Sequence, residues 1–218
     1  APASTSERTM PEPISPAPST RMREPSSEPS RSRAMATAAS ALGHEYLAVT
    51  DHSARLTVAH GLDEDRLREQ LAEVAVLNME LAPFRILTGM EVDILEDGSL
   101  DLSDEMLARL DVVVASVHSK LRMEKQQMTE RMLQAIASPH VDILGHCTGR
   151  MIGKRPPSDF DADYVFAACA QFNTAVEINC RPERLDPPRE LLRMAVEYGC
   201  WFTIDTDAHA TGQLEWQS

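Results

Sequence analysis

Six short apolar runs, each closing on histidine, carboxylate or asparagine and each separated from the next by a helix-like stretch, constrain this chain more than any other feature. Tyr46–Thr50 leads into Asp51-His52, Phe84–Leu87 into Gly89-Met90-Glu91-Val92-Asp93, and Val112–Ser116 into His118. Val141–Leu144 leads into Gly145-His146, Thr174–Ile178 into Asn179, and Cys200–Ile204 into Asp205-Thr206-Asp207-Ala208-His209. Between the runs the spacing turns helical. Leu62–Leu81 carries apolar residues at Leu67, Leu71, Val74 and Leu77–Leu81, with Asp63 as a candidate N-cap. Glu124–Ala137, Asp161–Phe172 and Pro188–Tyr198 read likewise as helices, the last started by Asp186-Pro187. Ala34–Leu42 is a further helical stretch that ends at Gly43. Continuous apolar strands alternating with amphipathic helices predict a parallel sheet covered by helices. A barrel and an open sheet both satisfy that pattern.

The polar residues favour the barrel. Of seven histidines, His52, His118, His146 and His209 directly follow strands, and Asp51, Glu91, Asp93, Glu177, Asp205 and Asp207 hold equivalent places. In α/β barrels the C-terminal strand ends form the mouth where reactive groups converge. One histidine at a strand end is ordinarily a hydrogen-bonded structural residue. The same coincidence on several strands points to metal ligation, and imidazole with carboxylate suits zinc, manganese or iron. His44, His60 and His140 lie in connections and read as ordinary loop residues, with His60 the nearest of them to the mouth.

Charge and composition set the boundaries. The formal charge is −13; residues 1–33 contribute about +1, which leaves the remainder near −14. So acidic a surface opposes non-specific nucleic-acid binding, although bound metals would invert the field within a pocket. Residues 1–33 hold seven Pro and eight Ser and are expected to form a disordered tail, with residues 34–218 as one domain. Cys147, Cys169, Cys180 and Cys200 form no Cys-x-x-Cys pair and are expected as reduced, largely buried thiols. No apolar run has the length of a membrane span and no signal-peptide core stands at the N-terminus, so a cytoplasmic protein without a membrane partner is expected.

Thr50-Asp51-His52-Ser53, Gly89-Met90-Glu91-Val92-Asp93-Ile94-Leu95, Ala115-Ser116-Val117-His118-Ser119, Leu144-Gly145-His146, Glu177-Ile178-Asn179 and Asp205-Thr206-Asp207-Ala208-His209 resemble, in order and spacing, the motifs of the PHP (polymerase and histidinol phosphatase) superfamily. The likeness runs from about Ala34 to Gln217 and is closest to the PHP domains of bacterial family-X DNA polymerases and related stand-alone phosphoesterases. It implies a distorted seven-stranded (β/α) TIM-like barrel with up to three divalent metals. The family's reactions are phosphomonoester hydrolysis and 3′–5′ exonuclease cleavage, in which metals activate the attacking water. By position, the resemblance makes His52, Glu91, His118, His146, Asp207 and His209 metal ligands, with Glu91 bridging two ions. Glu91, His146 and Asp207 form the implied catalytic set. Asp51 and Asp93 would orient ligands, and Arg150, Arg181 and Lys120 are candidate phosphate contacts. The implied partner is a phosphorylated small molecule or a nucleotide end.

The chain departs from the family at one point. The family's first strand carries His-x-His, and no His-x-His occurs here. Three of about nine family ligands are therefore missing, six strands are expected in place of seven, and a closing helix is expected beyond the C-terminal stretch. A shortened gene product, a degenerate homologue and a partner-supplied strand would each account for this. Each leaves weak or absent hydrolysis, or a non-catalytic binding module, as the alternative to a working enzyme.

Overall fold

The computed structural model describes residues 30–56 and 61–217. Its elements run α1 (Arg31–Ala41), β1 (Tyr46–His52), α2 (Glu64–Glu80), β2 (Arg85–Asp93), α3 (Asp104–Leu107), β3 (Val112–Ser116), α4 (Lys125–Ile136), β4 (Ile143–Leu144), α5 (Ala162–Phe172), β5 (Ala175–Asn179), α6 (Arg189–Glu197) and β6 (Phe202–Asp205). A 3₁₀ turn, Thr211–Gln217, follows.

All six strands are parallel and lie in chain order, β1-β2-β3-β4-β5-β6. Ala48 and Thr50 of β1, Leu87 of β2, Val112 and Val114 of β3, and Thr203 of β6 all line one cavity of about 480 Å³. Opposite edges of the sheet can share a cavity only if the sheet curls. It therefore forms an open, six-stranded part of a TIM-like barrel. Among the described residues β1 and β6 are not paired to each other, so both are edges.

Strand alternation sorts each strand between the two faces. Met90, Val92, Val113, Ala115 and Val176 point outward into the main core beneath Leu67 of α2, Met128 and Met132 of α4, and Val165 and Phe166 of α5. A second cluster packs Ala36 and Ala39 of α1 against Val74 and Leu77 of α2, Ile86 of β2 and Leu214. Small residues on α1 let it settle close to the sheet.

Local signals explain most boundaries. Asp63 caps α2 by accepting from Arg66 N at 2.9 Å, and Asn173 ends α5 in the left-handed conformation at φ 59°. The first helix begins at Arg31, earlier than the expected Ala34, because the Ser30 side chain accepts from Arg33 N and caps it. The expected disordered tail of residues 1–33 thus gives up residues 31–33 to a helix, and residues 1–29 lie outside the described residues. Asp186 does not cap α6; it is buried and accepts from the Thr148 hydroxyl at 2.5 Å. The fourth strand keeps only two residues of the expected four, because Asp142 spends its side chain on Val113 N. The four cysteines are free, three of them buried. No helix among the described residues is long and apolar enough to cross a membrane.

Candidate metal centre

Four side chains from four successive strands meet at the C-terminal rim. His52 closes β1 directly opposite Glu91 of β2 in the sheet register, and His118 and His146 sit just past β3 and β4. Glu91 is the hub. Its Oε1 lies 3.0 Å from His146 Nε2 and 3.2 Å from His118 Nε2, and its Oε2 lies 3.3 Å from His52 Nδ1. The imidazole centroids of His118 stand 5.1 Å from His52 and 5.2 Å from His146, both nearly edge-on.

These are hydrogen-bonding distances without hydrogen-bonding alignment. His52 Nδ1, Glu91 Oε1 and both ring nitrogens of His118 and His146 are buried and make no aligned hydrogen bond. So many orphaned polar atoms around one carboxylate would be costly in a site that held nothing. Donor atoms of His52, Glu91 and His118 lie within 4.8 Å of one another, the spacing of ligands around a single ion. Borderline nitrogen and hard oxygen donors together fit a divalent transition ion.

The electrostatics agree. Burial alone would raise the Glu91 carboxyl, but His118 and His146 outweigh it and hold the group well below the usual carboxylate range. Burial would lower His118, yet Asp93 and Glu91 reverse that and push it up to about 9. His52, more desolvated than compensated, is lowered. In the metal-free site a proton on His118 therefore supplies part of the positive charge that the carboxylates demand.

Asp207 and His209 follow β6 on the other side of the mouth. The His209 ring lies 5.8 Å from that of His52, and its Nδ1 stands 3.5 Å from Asp207 Oδ1. Asp207 sits at φ 48°, a left-handed conformation that short polar residues tolerate. Its Oδ2 faces Arg184 Nε at 3.0 Å, Asn179 Nδ2 at 3.4 Å and Arg181 Nη1 at 3.7 Å.

The other sequence-derived candidates fall into distinct places. Asp93 accepts from His118 N at 3.1 Å and stands 3.4 Å from its Nδ1, so it orients that imidazole. Asp51 does not reach the cluster. Strand alternation turns it outward to Gln70 Nε2 at 2.6 Å and Arg31 Nη1 at 3.5 Å. Glu177 is buried and accepts from the backbone N of His146, fixing that loop. Burial, reinforced by the neighbouring Asp205, raises its carboxyl well above the usual range. Arg150 donates from Nε to Arg184 O at 2.8 Å and from Nη2 to Leu185 O, so it secures a turn rather than facing the mouth. Lys120 points to Glu96 at 3.9 Å. His44 lines the cavity beside Tyr46, at the opposite end of β1 from His52. His60 lies outside the described residues. The residue that sequence reasoning passed over is Arg184, which stands further past the Glu177-Ile178-Asn179 motif than Arg181.

No family profile matches the chain. It is 44% identical over 183 residues to the DNA polymerase/3′–5′ exonuclease PolX of Bacillus subtilis, a match covering 84% of this chain and 32% of that protein. A probable phosphatase of Aliivibrio fischeri is 31% identical over 182 residues, covering 79% of this chain and 68% of the relative. The chain thus spans about a third of the polymerase's length and two thirds of the phosphatase's. The crystal structure of a histidinol phosphate phosphatase from Lactococcus lactis, complexed with zinc, L-histidinol and phosphate, has the same fold. The TM-score is 0.55 at 20% identity, with 87% of this chain and 85% of that one covered. With that fold, these relatives and a histidine–carboxylate cluster at the strand ends, the chain belongs to the PHP superfamily.

Proposed function

We propose that the chain is a metal-dependent phosphoester hydrolase that acts on small phosphomonoesters or nucleotide ends. One observation carries the reading: the buried Glu91 carboxylate is ringed by three imidazoles whose nitrogens nearest it have no aligned partner. His52, Glu91, His118 and His146 would hold the ion, and Asp207 with His209 would offer a second position. A divalent ion there supplies Lewis acidity and an activated water for attack on phosphorus.

The chain's own residues do the rest. Asp93 sets the His118 ring from both its backbone and side-chain nitrogens. Glu177 holds the backbone that carries His146. Arg181, with Nη1 3.5 Å from His209 Nδ1, is the candidate phosphate contact that stands at the mouth. The names and titles of the phosphatase relatives support this substrate class.

The test is release of phosphate from a generic aryl phosphate by the purified chain with manganese or zinc, with and without a chelator. Chelator-sensitive turnover that Glu91→Gln removes is the expected result. Metal retention without turnover on any phosphoester would leave a non-catalytic binding module. A second reading, 3′–5′ exonuclease, draws on the match to the polymerase/exonuclease relative. Shortening of a 3′-ended oligonucleotide, with aryl phosphate untouched, would select it.

A further inference from the structure

We propose that Arg131 of α4 is a positioning residue for the Glu91 cluster: its buried guanidinium clasps the residue after Asp93 and the residue after His118, and so holds that pair in place. The consequence for metal binding rests on the reading above. The clasp itself does not.

The buried stripe of α4 is apolar at Met128, Met132, Ala135 and Ile136, and Arg131 is buried among them at 2% exposure. A charge in such a place is costly, and a methionine would fill much the same volume. What the guanidinium adds is a planar fork of fixed spacing. Nε and Nη2 both donate to Ile94 O, the former at 3.1 Å, while Nη1 donates to Ser119 O at 2.9 Å. Met123 Sδ lies 3.4 Å from Nη1, and Ser119 Oγ lies 3.5 Å from Nη2. These acceptors are neutral, and the carboxylates of Asp93, Glu96 and Asp97 offset the charge.

Each clasped carbonyl lies one residue beyond a member of the same pair. Ile94 follows Asp93, and Ser119 follows His118, whose backbone N donates to Asp93 Oδ1 at 3.1 Å. The β2–β3 register ends at Asp93 and Ser116, so His118 already lies past the ladder. Its backbone nitrogen is held by the Asp93 carboxylate rather than by a strand, and Lys120 then turns through φ 52°. A segment with so little pairing keeps its place only if both ends of the Asp93–His118 contact are tied, and one guanidinium ties both. None of its partners is a donor atom of the cluster, so the clasp does not compete with an ion at the mouth.

Amide hydrogen exchange of the full chain in chelator reads the clasp, and calorimetric titration with manganese reads its consequence. Arg131→Met should speed exchange at His118 N–H about tenfold more than at Val176 N–H, which is bonded to Trp201 O in the distant β5–β6 ladder. The same variant should bind manganese about tenfold more weakly or worse. Arg131→Lys keeps the charge without the fork and should show both effects in smaller measure, which covers a failure of the methionine variant to fold. Met128→Ala, from the same buried stripe, should speed both amides alike and leave manganese affinity within about twofold. Equal acceleration of His118 and Val176 in Arg131→Met would reduce Arg131 to ordinary core packing and overturn the proposal. So would selective loosening of His118 with manganese affinity unchanged. If the unsubstituted chain bound no manganese while Arg131→Met still loosened His118 selectively, the clasp would stand and the metal reading would fall.

Discussion

His118 is the residue on which the chemistry of the metal-free site turns. Its proton is held by Asp93 and Glu91 and leaves only near pH 9, against 6.5 for an ordinary histidine. A raised folded-state value stabilises the fold fully below about 6.5 and loses that contribution as pH rises through about 9. Melting of the chelated protein should therefore show a decline over that window, worth about 3 kcal/mol at most from this group. A metal at the Glu91 cluster has to displace the same proton, so metal affinity should climb with pH over the same range. Opposite slopes for chelated stability and for metal affinity would confirm the assignment; parallel slopes would refute it. At this scale the sequence was informative for His52, Glu91, His118 and His146, because the end of an apolar run marks the mouth and each run has only one such end. It was silent on Arg184, whose reach to Asp207 depends on a left-handed turn at Leu185 that no spacing rule reveals. It was misleading for Asp51, which shares its dipeptide with a cluster residue and points the other way.

At the scale of single elements, β4 has the least material and a close fit at its end. It pairs with β3 through only Ile143 and Leu144 before Gly145 hands over to His146. A Cβ at Gly145 would stand 2.2 Å from Ser116 Oγ and 2.7 Å from Val114 Cγ1, so β4 can approach β3 there only without a side chain. Gly145→Ala should cost about 2 kcal/mol or more of stability, by overpacking, and should weaken metal retention because His146 is the next residue. Thermal melting and metal content measured on the same sample check both halves. Unchanged melting would show that Ser116 and Val114 yield freely. Helix and strand identities were readable from period alone, and β3 matches its expected bounds of Val112–Ser116. The short helix α3 was not, since four residues make too little periodicity to register. The early start of α1 was hidden by the Ser- and Pro-rich composition around the serine that caps it.

For the molecule as a whole, the cluster brings together β1, β2, β3 and β4, one polar side chain from each strand or its end. An ion bound there but not in the unfolded chain stabilises by mass action, about 2.7 kcal/mol at a hundredfold excess over its dissociation constant. Manganese should raise the melting temperature of the unsubstituted chain, a chelator should reverse the rise, and Glu91→Gln should abolish it. A rise that survives Glu91→Gln would place the ion elsewhere. The parallel sheet was legible in the alternation of runs and its curl in the polar residues at their ends, while its two unpaired edges followed from six runs against the family's seven strands. Strand order that equals chain order has a kinetic meaning as well. Every strand among the described residues finds its partner in the next strand along the chain, and no pairing joins the first to the last. A closed barrel must pay the loop entropy of that final joining before its last strand is rewarded. Among the described residues the sheet can grow by successive local additions, with no ring-closing pairing to wait for.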